Sequence, residues 1–223
     1  MIYKILPTRY FIQRPALLIW LITVLTALLL ITLSCQAPVS TTPPKSPEQP
    51  PTVPVSPPVS TPQQPAVWKA DGIISAGEYN KSKTYGDFEV YCTSDDHYAY
   101  FALKAKTTGW VAIGFNPESF MKNADIFEGY VSDGKVTVLD MFSTGDFGPH
   151  PPDIQQGGTN DILKSGGTEE SGFTVIEFKR KIDTGDKFDK VLDKGTHKII
   201  WAFGSDDQAT VKHSGRGVGE IDF

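Results

Sequence analysis

The chain has 223 residues, a formal net charge of −5 and 39% hydrophobic residues. The leader cations Lys4, Arg9 and Arg14 add three positive charges, and Lys45 and Glu48 cancel, so residues 67–223 carry −8. An acidic body argues against nucleic acid and anionic lipid as partners, and the length leaves room for one medium domain.

Residues 1–35 come first. A basic start without acids precedes an almost wholly apolar run, Pro15–Ser34, which is the pattern of an export signal. About twenty apolar residues are also enough to cross a bilayer as an uncleaved helix. The run closes on Thr32-Leu33-Ser34-Cys35. That end resembles a bacterial lipoprotein signal, with Thr32 where such signals usually carry Leu, and the resemblance implies lipidation of Cys35. Acyl chains at about 0.8 kcal/mol per buried CH₂ anchor firmly when several are present. Lipid or helix, both readings put the remainder outside the cytoplasmic membrane, tethered to the cell envelope.

Residues 36–66 are a Pro/Ser/Thr/Val/Gln stretch that holds most of the chain's prolines. Such a composition builds no core and favours polyproline II. At about 3.1 Å per residue it reaches on the order of 90 Å, the span of a spacer.

Residues 67–223 read as short strands separated by turn signals, with no long helical periodicity. Strands are expected at Phe88–Thr93, His97–Lys106, Gly109–Phe115, Ala124–Val131 and Lys135–Phe142. Ala99, Phe101, Leu103 and Ala105 share one face of the second, and Ser132-Asp133-Gly134 is a hairpin turn between the last two. A Gly/Pro-rich loop spans Gly145–Gly158. Strands at Asp161–Ser165 and Phe173–Lys181 then flank a Gly-rich turn, and His197–Gly204 and Val218–Phe223 close the chain. The one helix expected is short, around Asp186–Leu192, capped by Asp186. Antiparallel strands at this spacing predict an all-β sandwich.

Enzyme signatures are missing: no Gly-x-Ser-x-Gly, no phosphate-cradling Gly loop, no His-Glu-x-x-His. The Asp95/Asp96 and Asp206/Asp207 pairs fall in turns. The four His are scattered, which argues against zinc. Cys92 lies in a strand and reads as a buried, inert thiol. Met121 and His213 are distinctive in that both fall in polar loops. A thioether and an imidazole are one of the axial pairs known for heme iron, although these residue types alone also fit ordinary loops.

Several blocks resemble the DOMON domain family: Gly109–Pro117 with Met121 and Ala124-Asp125-Ile126, then Asp133–Val136, Phe178–Asp186 and His213–Gly217. Trp68–Ile73 with Glu78-Tyr79 resembles the family's opening strand. The resemblance implies an immunoglobulin-like antiparallel β-sandwich and, in its cytochrome type, a non-covalent heme b between a Met and a His. Those positions match Met121 and His213. Covalent attachment is excluded, because no Cys-x-x-Cys-His is present.

The implied function is one-electron transfer through a six-coordinate heme to a redox partner protein or membrane electron-transfer chain, without catalysis. Trp110, Phe115 and Phe120 are the candidate side chains against the macrocycle. Lys122, Lys212 and Arg216 are candidates for its propionates. Lys212 is the rival ligand to His213, and His150 is expected to rim the pocket or act structurally. His97 and His197 are expected as packing or surface residues, and Met141 as core. The alternative is a heme-free module of the same fold that binds carbohydrate or another small ligand, with Trp68, Trp110 or Tyr79 stacking on a ring.

Overall fold

The computed structural model describes residues 67–223; the leader, the Cys35 lipidation position and the Pro-rich tether lie outside them. Ten strands form two antiparallel five-stranded sheets. They are β1 Lys81–Tyr85, β2 Phe88–Ser94, β3 Tyr98–Ala105, β4 Val111–Phe115, β5 Asp125–Ser132, β6 Lys135–Phe142, β7 Lys164–Glu170, β8 Phe173–Lys181, β9 Thr196–Phe203 and β10 Gly215–Asp222. The first sheet runs β1-β2-β3-β8-β7 and the second β10-β9-β4-β5-β6. Among the described residues no helix is long and apolar enough to cross a membrane.

Alternation builds the core. Phe88, Val90 and Cys92 on β2 face Leu103, Phe101 and Ala105 on β3, and Ile176 and Phe178 on β8 complete the inner face of the first sheet. The second sheet answers with Val111, Ile113, Phe115, Phe127 and Ile199. Phe101 and Phe178 are register partners with ring centroids 5.0 Å apart, and Phe127 stacks on Phe178 at 4.8 Å. Each fully buried Phe contributes about 1.5–3 kcal/mol. Cys92 is buried in this core, and burial pushes its thiol up to about 12.

An ion pair is sealed inside. Arg180 is fully buried; its Nη1 donates to Asp125 Oδ2 at 2.6 Å, and Nε and Nη2 donate to the Lys181 and Lys190 carbonyls. Every arm of the fork is used, which is what makes a buried guanidinium tolerable.

Three expectations need correction. Residues Asp186–Leu192 form no helix: Asp186 Oδ1 accepts from Phe188 N–H and Oδ2 from Thr159 N–H, which folds the segment into turns. The 3₁₀ turn found instead is Asp153–Gln156, ended by Gly157 at φ 83°. Gly166 and Gly167 are not a turn but lie inside β7. A Cβ on Gly166 would sit 2.1 Å from the Ala70 carbonyl, so the glycine lets an N-terminal segment lie against the strand. That segment, Trp68–Ile73, is not a strand. Buried Glu177 pins it by accepting from the Asp71 and Gly72 N–H groups and the Tyr79 hydroxyl. β1 was not anticipated, because Lys81–Tyr85 is mostly exposed and carries no apolar alternation.

Candidate functional site

The site lies on the outer face of the second sheet. Parity explains it: Val111, Ile113 and Phe115 point into the core, so Ala112 and Gly114 point out. The same alternation turns Ile126 and Glu128 of β5, Ile200 and Ala202 of β9, and Arg216 and Val218 of β10 outward. Ala112, Gly114 and Ala202 form a low floor between larger neighbours. Loops raise the walls, and the result is a cleft of about 390 Å³. That lies in the range of small-molecule and cofactor sites.

Met121 and His213 line this one cleft from different loops. Met121 follows β4, where Phe120 adopts φ 44° and Met121 N–H donates to the Asp146 carbonyl at 3.2 Å. Its side chain packs against the Ala124–Ile126–Met141 cluster. His213 precedes β10 on the other side. Burial, with the Arg216 and Lys212 charges, lowers its pKa, so the imidazole is neutral at neutral pH. Arg216 Nη1 lies 3.3 Å from His213 Nε2. A neutral imidazole and a thioether offer one lone pair each, a donor set suited to a soft or borderline metal centre.

Trp110 is buried and lines the cleft, its indole N–H donating to the Val211 carbonyl at 3.2 Å. That bond ties the floor to the loop carrying His213. Phe120 is 67% exposed and packs on Phe147 at 5.0 Å to form a rim. Arg216 lines the cleft as well. Phe115 does not: it is fully buried between the sheets against Phe101 and Phe127, because parity on β4 sends it inward. Lys122 is not among the lining residues and points its ammonium at Glu118, 3.9 Å away. Lys212 is likewise absent from the lining. Trp68 and Tyr79 bond to each other at 2.8 Å beside the first sheet, away from the cleft.

His150 rims the cleft, with Nδ1 buried and unpartnered. Met141 is buried, yet on the outer face beside Met121 rather than between the sheets. His197 is buried, with Nε2 2.8 Å from the Asp193 carbonyl and Nδ1 3.0 Å from the Asn116 amide. Among the lining residues that carried no sequence signal as site residues are Phe147, in the Gly/Pro loop, and Glu128. Glu128 is 2% exposed, Oε1 has no hydrogen-bond partner, and burial alone pushes its carboxyl up to about 8. It is therefore protonated at neutral pH and presents a buried acid to the cleft.

Comparison with known proteins adds the following. The family model described as "DOMON domain" matches residues 84–204, more than half of the chain; Met121 falls inside that span and His213 beyond it. DBH-like monooxygenase protein 1 of Mus musculus is 36% identical over 107 residues, which is 48% of this chain and 17% of that protein. The Homo sapiens protein of that name is 32% identical over the same length, and MOXD1 homolog 1 of Drosophila melanogaster 29% over 119 residues. The chain thus spans 17% of the length of these relatives. Among solved structures, the cytochrome b domain of pyranose dehydrogenase from Coprinopsis cinerea has a TM-score of 0.45 at 16% identity, covering 61% of this chain and 76% of that one. The cytochrome domain of Myriococcum thermophilum cellobiose dehydrogenase has a TM-score of 0.44 at 16% identity, covering 60% and 74%.

Proposed function

We propose a function from one premise: the chain belongs to the DOMON domain family. The function is one-electron transfer by a non-covalent heme b, which Met121 and His213 would hold in the outer-face cleft. The observation that carries it is the convergence of those two side chains on one cleft from loops 92 residues apart in the sequence (121 against 213).

The cleft's chemistry fits the group. Its lining is predominantly apolar, its floor is low at Ala112, Gly114 and Ala202, and its two nitrogen and sulfur donors are uncharged. When bound, heme b supplies an iron that changes oxidation state by one electron, and a thioether ligand raises its potential relative to two imidazoles. The chain's own residues do the rest. Trp110 holds the His213 loop through Val211, Arg216 offers a cation for a propionate, and the Phe120–Phe147 pair shields one edge from water. Met121 and His213 would both be committed to holding the group, and the domain would relay electrons to a partner redox protein or membrane chain. The acidic surface suits docking to a basic partner. On the sequence of residues 1–66, the domain works outside the cytoplasmic membrane, held by lipidated Cys35 or an uncleaved helix.

The purified protein should be red, with the α and β bands of a low-spin heme on reduction. Met121→Ala and His213→Ala should each abolish the low-spin bands, and Lys212→Ala should leave them intact. Retention of the bands in His213→Ala with loss in Lys212→Ala would reassign the ligand. A second reading, a heme-free sugar or small-ligand module, is favoured by Glu128, whose unpartnered buried oxygen suits a hydroxyl-bearing occupant. A protein that stays colourless after heme titration and binds sugar would establish that reading instead.

A further inference from the structure

Three residues that line the cleft carry a buried polar atom without a partner: Trp201 at Nε1, His150 at Nδ1 and Glu128 at Oε1. The indole is neutral, and burial lowers the pKa of His150, so its imidazole is neutral too. Glu128 is different in kind, because losing its proton would leave a bare charge in the floor of the cleft. On β5 it is flanked by Ala112 of β4 and Leu139 of β6, neither of which can pair with it. Ile126, two places back on the same face, packs with Met121.

The titratable or charged groups that share the cleft are Asp146 and His150 from the loop after β6, and His213 and Arg216 at the start of β10. None of them moves the Glu128 carboxyl, which burial alone pushes up. A buried acid without a counter-ion is sensitive to any charge that changes beside it, since water does not screen the interaction there.

We propose that Glu128 is a redox-linked proton carrier, which takes a proton from water as the domain is reduced and returns it as the domain is oxidised. This rests on the heme reading. Reduction by a one-electron donor protein adds one negative charge to the occupant of the cleft, and a nearby negative charge tightens a carboxyl's hold on its proton. The Glu128 carboxylate then forms an O–H bond with a proton from bulk water, so the net charge of the cleft is unchanged. When the electron passes to the acceptor, that O–H bond breaks and the proton returns to water. One electron and one proton enter, and one of each leaves. A unit charge about 10 Å away, at an effective dielectric constant of about 20, changes a carboxyl's proton affinity on the order of tenfold. Tenfold is about 59 mV for a one-electron couple. The reduced state holds the proton more tightly, so the midpoint potential falls as pH rises.

The test uses the full-length chain loaded with heme b, with the midpoint potential read by spectroelectrochemistry from pH 6 to pH 10. The parent's midpoint should fall by on the order of 59 mV as pH rises through about 8. Glu128→Gln keeps the shape and has no proton to exchange, so it should lose that fall. His150 and the propionates are common to both proteins, and the difference between them isolates Glu128. Reduced-minus-oxidised infrared spectra of the parent at pH 8, with glutamate carboxyl carbons isotopically labelled, should show a protonated carboxyl band that shifts with the label. Low-spin bands with a midpoint flat from pH 6 to pH 10 would overturn the proposal and leave the heme reading standing. So would a fall that survives Glu128→Gln, or a difference spectrum without the labelled band. A parent protein that takes up no heme would overturn both.

Discussion

Glu128 gives the sharpest test of how the cleft is built. It is 2% exposed, and its carboxyl is pushed up to about 8 by burial alone, with no cation or donor to offset it. An unfolded Glu ionises near 4.3. Between those two pH values the unfolded chain releases a proton that the folded chain keeps, so folding stability is full below about 4 and falls as pH rises through about 8. At ~1.4 kcal/mol per unit the full loss is ~5 kcal/mol, and solvent relaxation around an opening cleft reduces it to roughly 2–4 kcal/mol. Glu128→Gln has nearly the same shape and cannot ionise. In the heme-free protein it should match the parent at pH 4.5 and exceed it by roughly 2–4 kcal/mol at pH 8.5. Urea melts of both proteins at several pH values measure this, and the difference between them cancels the other buried acids. A difference that stays constant from pH 4.5 to 8.5 would refute the reasoning, because it would mean that Glu128 is solvated or paired.

Arg180→Met should destabilise by about 3–5 kcal/mol, because it strands Asp125 without its partner; chemical denaturation reads this out. Gly166→Ala forces a methyl onto the Ala70 carbonyl and should lower the melting point by several degrees, equivalent to about 1–3 kcal/mol. Ala202→Phe should fill the floor of the cleft and abolish heme uptake in a spectrophotometric titration, while its denaturation midpoint stays within about 1 kcal/mol of the parent.

Much of this was legible because a strand announces itself by alternation. β6 and β8 fall on their expected bounds, Lys135–Phe142 and Phe173–Lys181, where Val136 with Val138 and Ile176 with Phe178 stand two places apart. The glycines of β7 misled because a glycine admits either a turn or a close approach, and only the position of Ala70 decides. The family pattern singled out Met121 and His213 as candidates, but the cleft that both line was not legible. Period two places Glu128 on the face away from the core, which in an open sheet is a solvated face. Covering it takes loops whose path has no periodicity, and these carry Phe147 and His150. The burial of Asp125 and Asp140 was hidden for the mirror-image reason: they share inward parity with Phe127, Val136 and Val138, where an acid is not expected.

The parity of the second sheet also bears on how such a domain evolves. Along β4, β5 and β9, one set of alternate residues builds the interior and the other set builds the cleft. Substitutions in the cleft set can therefore accumulate, and an occupant can be exchanged or abandoned, while the scaffold persists. The same arrangement forbids a one-residue slip of any of these strands, since that would exchange the two sets at once. Ligand specificity is thus free to drift by substitution and closed to drift by insertion within a strand, so length variation among descendants of this scaffold should concentrate in the loops that carry Met121, Phe147 and His213.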